Sequence, residues 1–181
     1  KRIIVFLTLM LLCGVSTFAQ KQDSAQKTDS ITVNAAEMAD LIVSDAMKYL
    51  GRPYVWAANG PNAFDCTGLT KFIYGKFGYK LGRTVLSQMH NGRPVTGGFH
   101  NFQKGDILIY GSRGDKSRPG HAAIFIELDP SGEFFTFIHA SSKGVIVSKS
   151  NETYYRDRLL GARRIIPDFV APAPANPYTE E

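Results

Sequence analysis

The chain has 181 residues, with 21 Lys and Arg against 16 Asp and Glu for a net charge of +5, two cysteines and 44% hydrophobic residues. One domain with a sizeable core fits this length and composition. The basic excess is weak and no Lys/Arg cluster is interleaved with aromatics, which argues against nucleic-acid binding.

Lys1 and Arg2 precede a mostly apolar run, Ile3 to Val15, that is too short to remain as a membrane helix, and Thr17-Phe18-Ala19 places a small residue before Gln20. The pattern predicts a signal peptide over 1–19 and an exported protein, periplasmic or extracellular, without stable membrane insertion. Lipidation at Cys13 is the weaker alternative, because Cys13 follows Leu11-Leu12 rather than small residues and has apolar sequence after it. Loss of Lys1 and Arg2 with the signal lowers the net charge to +3, which suits contact with an anionic polymer surface. Residues 20–33 read as a flexible linker, 34–169 as the folded domain, and 170–181 as a disordered Pro-rich tail.

Within the domain, Ala39, Ile42, Val43, Ala46, Tyr49 and Leu50 recur at helical spacing, so a helix is expected over 35–50, capped by Asn34 and ended by Gly51. Gly51 to Phe64 is rich in Gly, Pro, Asn and aromatics and reads as a structured loop. Asp65 is placed to cap a second helix, Cys66 to Phe77, with Leu69, Phe72, Ile73 and Phe77 as its buried stripe and Gly78 as its stop. Gly82 to Gly105 carries few strand signals. Strands are expected at Ile107–Tyr110, Ala122–Glu127, Phe134–His139, Val145–Ser148 and Ala162–Ile166, separated by Gly- and Pro-bearing turns. Helices first, then strands joined by short turns, indicate an α+β fold with N-terminal helices packed on a mostly antiparallel sheet.

With the signal removed, Cys66 is the one remaining cysteine and cannot form an internal disulfide. At a helix start, unpaired backbone N–H groups and the helix dipole favour a thiolate, and the same N–H groups can hold an oxyanion. A nucleophile is the leading reading, and a small buried apolar residue is the alternative. His121 opens one expected strand and His139 closes the next, 18 residues later, the spacing of two hairpin-connected strands. A general base oriented by a second polar ring fits that pair, while a strand-end histidine without chemistry fits each one singly. A Cys/His zinc site is a further alternative, but no close-spaced ligand pair is present. His90 and His100 lie in the irregular segment and read as loop residues.

The ordered runs Gly51-Arg52-Pro53-Tyr54-Val55-Trp56, Phe64-Asp65-Cys66-Thr67-Gly68-Leu69, Leu81-Gly82-Arg83-Thr84 with Gln88, Lys104-Gly105-Asp106-Ile107-Leu108, Gly120-His121-Ala122-Ala123-Ile124-Phe125, Phe137-Ile138-His139-Ala140-Ser141 and Gly161-Ala162-Arg163-Arg164 resemble the motifs of NlpC/P60 cysteine peptidases over nearly the whole domain. The resemblance implies a papain-like core and a Cys-His-His triad, with Cys66 as nucleophile, His121 as base and His139 as the residue that orients it. It implies an oxyanion role for Tyr54, substrate-groove positions for Asp65 and Thr67, and at Arg83 either a further site position or a structural role. It implies hydrolysis of peptidoglycan stem peptides between γ-D-glutamyl and a diamino acid, with no cofactor and no metal. Peptidoglycan or released muropeptides are then the partners, and 1–181 contains no second cell-wall-binding domain, which favours released peptides.

The chain departs from the family pattern at Trp56-Ala57-Ala58, where Trp-Gly-Gly is common, at Thr67, where serine is usual, and at Gly82, which replaces a common proline. Ala57 and Ala58 bear on the loop before Cys66, because alanine resists positive φ. Other readings remain open: an amidase or acyltransferase on the same core, an inactive cell-wall binding module, or a secreted effector using the same hydrolysis.

Overall fold

The computed structural model describes residues 35–168. The expected signal peptide with Cys13, the linker, the Asn34 cap and the Pro-rich tail lie outside the described residues. Helix α1 occupies 35–47 and buries Ala39, Ile42, Val43 and Ala46, one face of a 3.6-residue repeat. It is three residues shorter than expected: 48–50 form a turn, and Gly51 takes φ +80°, open to glycine at little steric cost. The buried Asp45 carboxylate of α1 accepts from Lys76 Nζ at 2.6 Å, which fastens α1 to the end of the next helix.

The loop after α1 is ordered by its own hydrogen bonds. Gly51 N–H donates to Val145 and Val145 N–H to Arg52, and Phe64 forms β-bridges with Tyr54 and Asn59. Tyr49, Phe64 and Phe72 meet edge to face with centroids 5.3 to 5.4 Å apart. Helix α2 (Cys66–Lys76) follows, with Leu69, Ile73 and Tyr74 fully buried and Phe72 and Phe77 packed at the margin.

The segment expected to be irregular contains a one-turn helix α3 (Val85–Gln88), a short strand β1 (Arg93–Val95) and a 3-10 turn at Phe99–Asn101. β1 carries Pro94 and pairs only with β6, an edge position where a missing N–H is tolerated. Its three exposed or half-exposed residues give no alternation to read from sequence. The strands β2 (Ile107–Gly111), β3 (Pro119–Leu128), β4 (Phe135–Ser141), β5 (Gly144–Lys149) and β6 (Leu159–Arg164) complete a six-stranded sheet of order β1-β6-β2-β3-β4-β5, every neighbour antiparallel. The last strand begins three residues earlier and ends two earlier than the apolar run 162–166 suggested. A one-turn helix α4 (Thr153–Arg156) sits between β5 and β6.

The sheet separates two apolar layers. Ile107, Ile109, Ile124, Ile138 and Ala140 face α1 and α2. The alternate residues Leu108, Tyr110, Ala123, Phe125, Phe135 and Phe137 form a second, aromatic layer with Tyr155 of α4. His121 and His139 have the parity of this aromatic layer. The fold is α+β, as expected from element order.

Candidate active site

The site is built outward from one carboxylate. Asp65 caps α2 from extended backbone, φ −94° and ψ 177°, and is only 5% exposed. Its Oδ1 accepts from Gly68 N–H at 2.6 Å, Thr67 Oγ1 at 3.1 Å and Arg83 at 3.1 Å, while Oδ2 accepts from Arg83 at 2.6 Å and from Ala57 N–H at 3.0 Å. Burial pushes the Asp65 carboxyl up, but the Arg83, Gly68 and Thr67 hydrogen bonds outweigh it and hold it below its usual 3.8. A second tie comes from Gln88, fully buried, whose amide donates to the Thr67 and Gly82 carbonyls and accepts from Thr70.

The Asp65–Ala57 bond accounts for the loop before the nucleophile. Ala57 has φ +65°, the only non-glycine residue with positive φ among the described residues. The double alanine therefore keeps the left-handed turn at a steric cost of about 1–2 kcal/mol, and the buried carboxylate holds it there. Asp65 N–H donates to Ala58 carbonyl, and a Cβ on Gly68 would lie 2.0 Å from that same oxygen. Glycine at 68 is thus required for close approach of α2 to the 57–58 loop.

Cys66 is a free thiol, 9% exposed, at the first turn of α2. The backbone N–H groups of Ala122, Thr67 and Cys66 itself lie near the sulfur and favour its thiolate. Burial pushes the thiol above its usual 9.0 and the nearby Asp65 charge adds to this, against the opposing pull of those N–H groups. The nearness of the Ala122 N–H places the thiol beside β3, at the residue that follows His121. Tyr54 lies close by: burial, then the charges of Cys66 and Asp65, hold its phenol protonated and able to donate. Val55 and Trp56, the next residues on the same loop, are exposed.

His121 is the third residue of β3, not its first, because pairing with β2 begins at Pro119. Likewise His139 lies inside β4, which continues to Ser141. The expected strand mouths are thus strand interiors, which fixes both backbones more firmly. His121 Nε2 and His139 Nδ1 are 2.9 Å apart with the rings perpendicular. His139 is fully buried, and its Nε2 meets Ser148 Oγ at 3.2 Å and Tyr155 Oη at 3.4 Å. Burial lowers His121 to about 4, and burial together with the facing ring lowers His139 to about 3. Both rings are neutral near pH 7, and Nδ1 of His121 is left available to a proton donor.

Pairing of β3 with β4 brings His121 and His139 together, Cys66 lies near Ala122 of β3 and near Tyr54, and Asp65, Thr67 and Arg83 form one hydrogen-bonded group at the start of α2. Asp65 and Thr67, expected to line a substrate groove, are buried and committed to each other, to Arg83 and to the loop. Arg83 keeps a third of its side chain exposed while its guanidinium turns inward onto Asp65 and Thr67. His90 and His100 lie in exposed turns. Sequence reasoning did not identify Ser148 or Tyr155. The signal was alternation in β5, where a serine takes a buried position on the face of His139. Among the described residues no group of three or more His, Cys, Asp or Glu is arranged to hold a metal ion.

Comparison with known proteins identifies the family and the fold. The NlpC/P60 family profile matches residues 51–164. The chain is 37% identical over 99 residues to a probable endopeptidase of Corynebacterium glutamicum, covering 54% of this chain and 46% of that one. It is 32% identical over 130 residues to a probable peptidoglycan endopeptidase of Bacillus subtilis (68% and 33% covered) and 30% identical over 131 to a gamma-D-glutamyl-L-lysine dipeptidyl-peptidase of Bacillus cereus (71% and 37%). A crystal structure of an NlpC/P60 family protein from Bacillus cereus superposes with a TM-score of 0.63 at 30% identity, covering 71% of this chain and 40% of that one. The chain spans about half or less of the length of these curated relatives.

Proposed function

The chain belongs to the NlpC/P60 family, and we propose that it is an exported cysteine endopeptidase that hydrolyses peptidoglycan stem peptides at the γ-D-glutamyl–diamino acid bond. The observation that carries the reading is a histidine pair linked through Nε2 and Nδ1 whose first member, His121, directly precedes Ala122, the β3 residue whose N–H lies near the helix-start thiol. The relative named for a γ-D-glutamyl-L-lysine bond supports the choice of bond.

In this mechanism the resting pair is neutral, since burial raises the thiol and lowers the imidazole. His121 Nδ1 takes the Cys66 proton as sulfur attacks the γ-glutamyl carbonyl carbon. The Cys66 backbone N–H and the Tyr54 hydroxyl hold the oxyanion. His121 returns the proton to the departing amine of the diamino acid, the C–N bond breaks, and a thioester remains. Water, deprotonated by His121, attacks the thioester, releases the γ-glutamyl carboxylate and restores the thiol. His139 accepts from His121 Nε2–H throughout and keeps the ring in position.

The test is mass spectrometry of L-Ala-γ-D-Glu-diaminopimelate incubated with the protein, beside Cys66→Ala. Release of diaminopimelate by the wild type alone is expected. Cleavage by both proteins would sink the nucleophile assignment. Release of an intact stem peptide from a muropeptide would replace the endopeptidase reading with an amidase.

A further inference from the structure

A neutral imidazole carries one proton, and a chain of imidazoles passes that constraint along. For His121 Nδ1 to accept a thiol proton, its own proton must sit on Nε2 and point at His139. His139 Nδ1 must then be the acceptor, 2.9 Å away, so the His139 proton must sit on Nε2. That Nε2–H lies in a fully buried position among Phe137 and Tyr155 rings, with centroids 5.1 and 5.2 Å from the imidazole. An N–H left unpaired there would cost about 1–3 kcal/mol, enough to favour the other tautomer. Two oxygens meet it, Ser148 Oγ at 3.2 Å and Tyr155 Oη at 3.4 Å.

We infer that Ser148 and Tyr155 are positioning residues that act through His139: by accepting its Nε2–H they fix the tautomer of both histidines and keep His121 able to take the Cys66 proton. The inference rests on the reading of His121 as base. Ser148 reaches His139 because Ile146 is the direct partner of His139 across β4 and β5, which places Ser148 two residues along on the same face. Tyr155 arrives from α4, on the far side of the aromatic layer. Without both oxygens, the His139 proton moves to Nδ1, where it would oppose the His121 Nε2–H. Relief of that clash puts the His121 proton on Nδ1, and the base is lost.

The experiment is nitrogen NMR of the imidazole rings in the whole chain, with steady-state kinetics on a stem peptide, for wild type and the Ser148→Ala/Tyr155→Phe double variant. Both wild-type rings should be protonated on Nε2, and both variant rings on Nδ1. The variant should lose about 10- to 100-fold in kcat, with KM changed less than about twofold. Ser148→Thr, which keeps the hydroxyl, should restore the wild-type tautomers in the Tyr155→Phe background. Tyr110→Phe is the control for disturbance of the layer, since Tyr110 Oη is buried with no partner, and it should leave both tautomers unchanged. Wild-type His139 protonated on Nδ1, or tautomers indifferent to the double substitution, would overturn the inference. The tautomer shift without turnover of any stem peptide by the wild type would uphold the positioning role and reject the proposed reaction instead.

Discussion

Behind Cys66 stands Asp65, a buried carboxylate that accepts five hydrogen bonds and is paired with Arg83. Behind His121 stands His139, a buried imidazole kept neutral among Phe137 and Tyr155 and touched by two hydroxyls. Both arrangements immobilise a reactive group, by different physics. On the helix side a full charge is retained, so every lone pair has to be answered, and the loop, the helix start and Arg83 are drawn together around it. On the sheet side charge is excluded, so geometry is set by strand pairing and by which ring nitrogen carries a proton. The first arrangement is strong and tolerates strain, as Ala57 shows. The second is sensitive to anything that adds a proton.

The largest effect should separate reaction from scaffold. His121→Ala is expected to lower kcat/KM by about 10³- to 10⁴-fold, with the urea midpoint nearly unchanged, because the ring is half-buried at the edge of the aromatic layer. A large stability loss would show that the sheet side is structural rather than reactive. Asp65→Ala should do the reverse in part. Loss of the cap and of the charge partner is expected to destabilise by about 3 kcal/mol, at the lower end for a broken buried pair because Arg83 is a third exposed. Urea denaturation measures this, and a cost below about 1 kcal/mol would mean that water replaces the carboxylate.

Acid should distinguish the two sides by pH. The histidines titrate near 6.5 when unfolded and lower when folded, so the unfolded chain binds protons first as pH falls. Stability is then full above about 6.5 and is lost progressively toward about 4. Asp65 is depressed below 3.8, so its contribution persists to that pH and is lost only below it. Denaturation midpoints across pH 3 to 7 should therefore fall first on account of the histidines, and His139→Gln should flatten the upper part of that fall. A wild-type profile flat down to pH 4 would contradict the burial assigned to the pair. The acid limb of kcat/KM should likewise lie well below 6.5. The smallest effect is expected from Ala57→Gly, which relieves φ +65° and should stabilise by about 0.5–1 kcal/mol after the added entropy of the unfolded glycine.

Much of the site was legible because its signals are local. Asp65 as a cap, Cys66 at a helix start and Gly78 as a stop follow from residues within a few positions of one another. Periodicity located five strands of the sheet and set the two histidines on neighbouring strands. β1 and α3 were missed for a shared reason: three exposed residues around Pro94, or one turn closed by a Thr84–Ser87 capping box, offer too few positions for any period. The ends of β3 and β6 were misjudged because pairing, not apolar content, sets where a strand begins. Pro119 and Gly120 read as a turn by composition and are held in the sheet by β2.

The sequence by itself determined the helix-then-strand order, the capped helix start bearing the cysteine, and the pairing of two histidines at hairpin distance. Its departure from the family pattern at Ala57 and Ala58 also drew attention to the loop before Cys66, and the structure showed which of the two, Ala57, takes positive φ. Only the tertiary structure decided that Asp65 and Thr67 are buried and bound by the Arg83 guanidinium, that Gly68 is demanded by a carbonyl ten residues earlier, and that Ser148 and Tyr155 close on His139. The division follows from range. Caps and periods are written in neighbouring residues, whereas burial and the proton position on a ring depend on which distant groups the sheet brings within hydrogen-bonding reach.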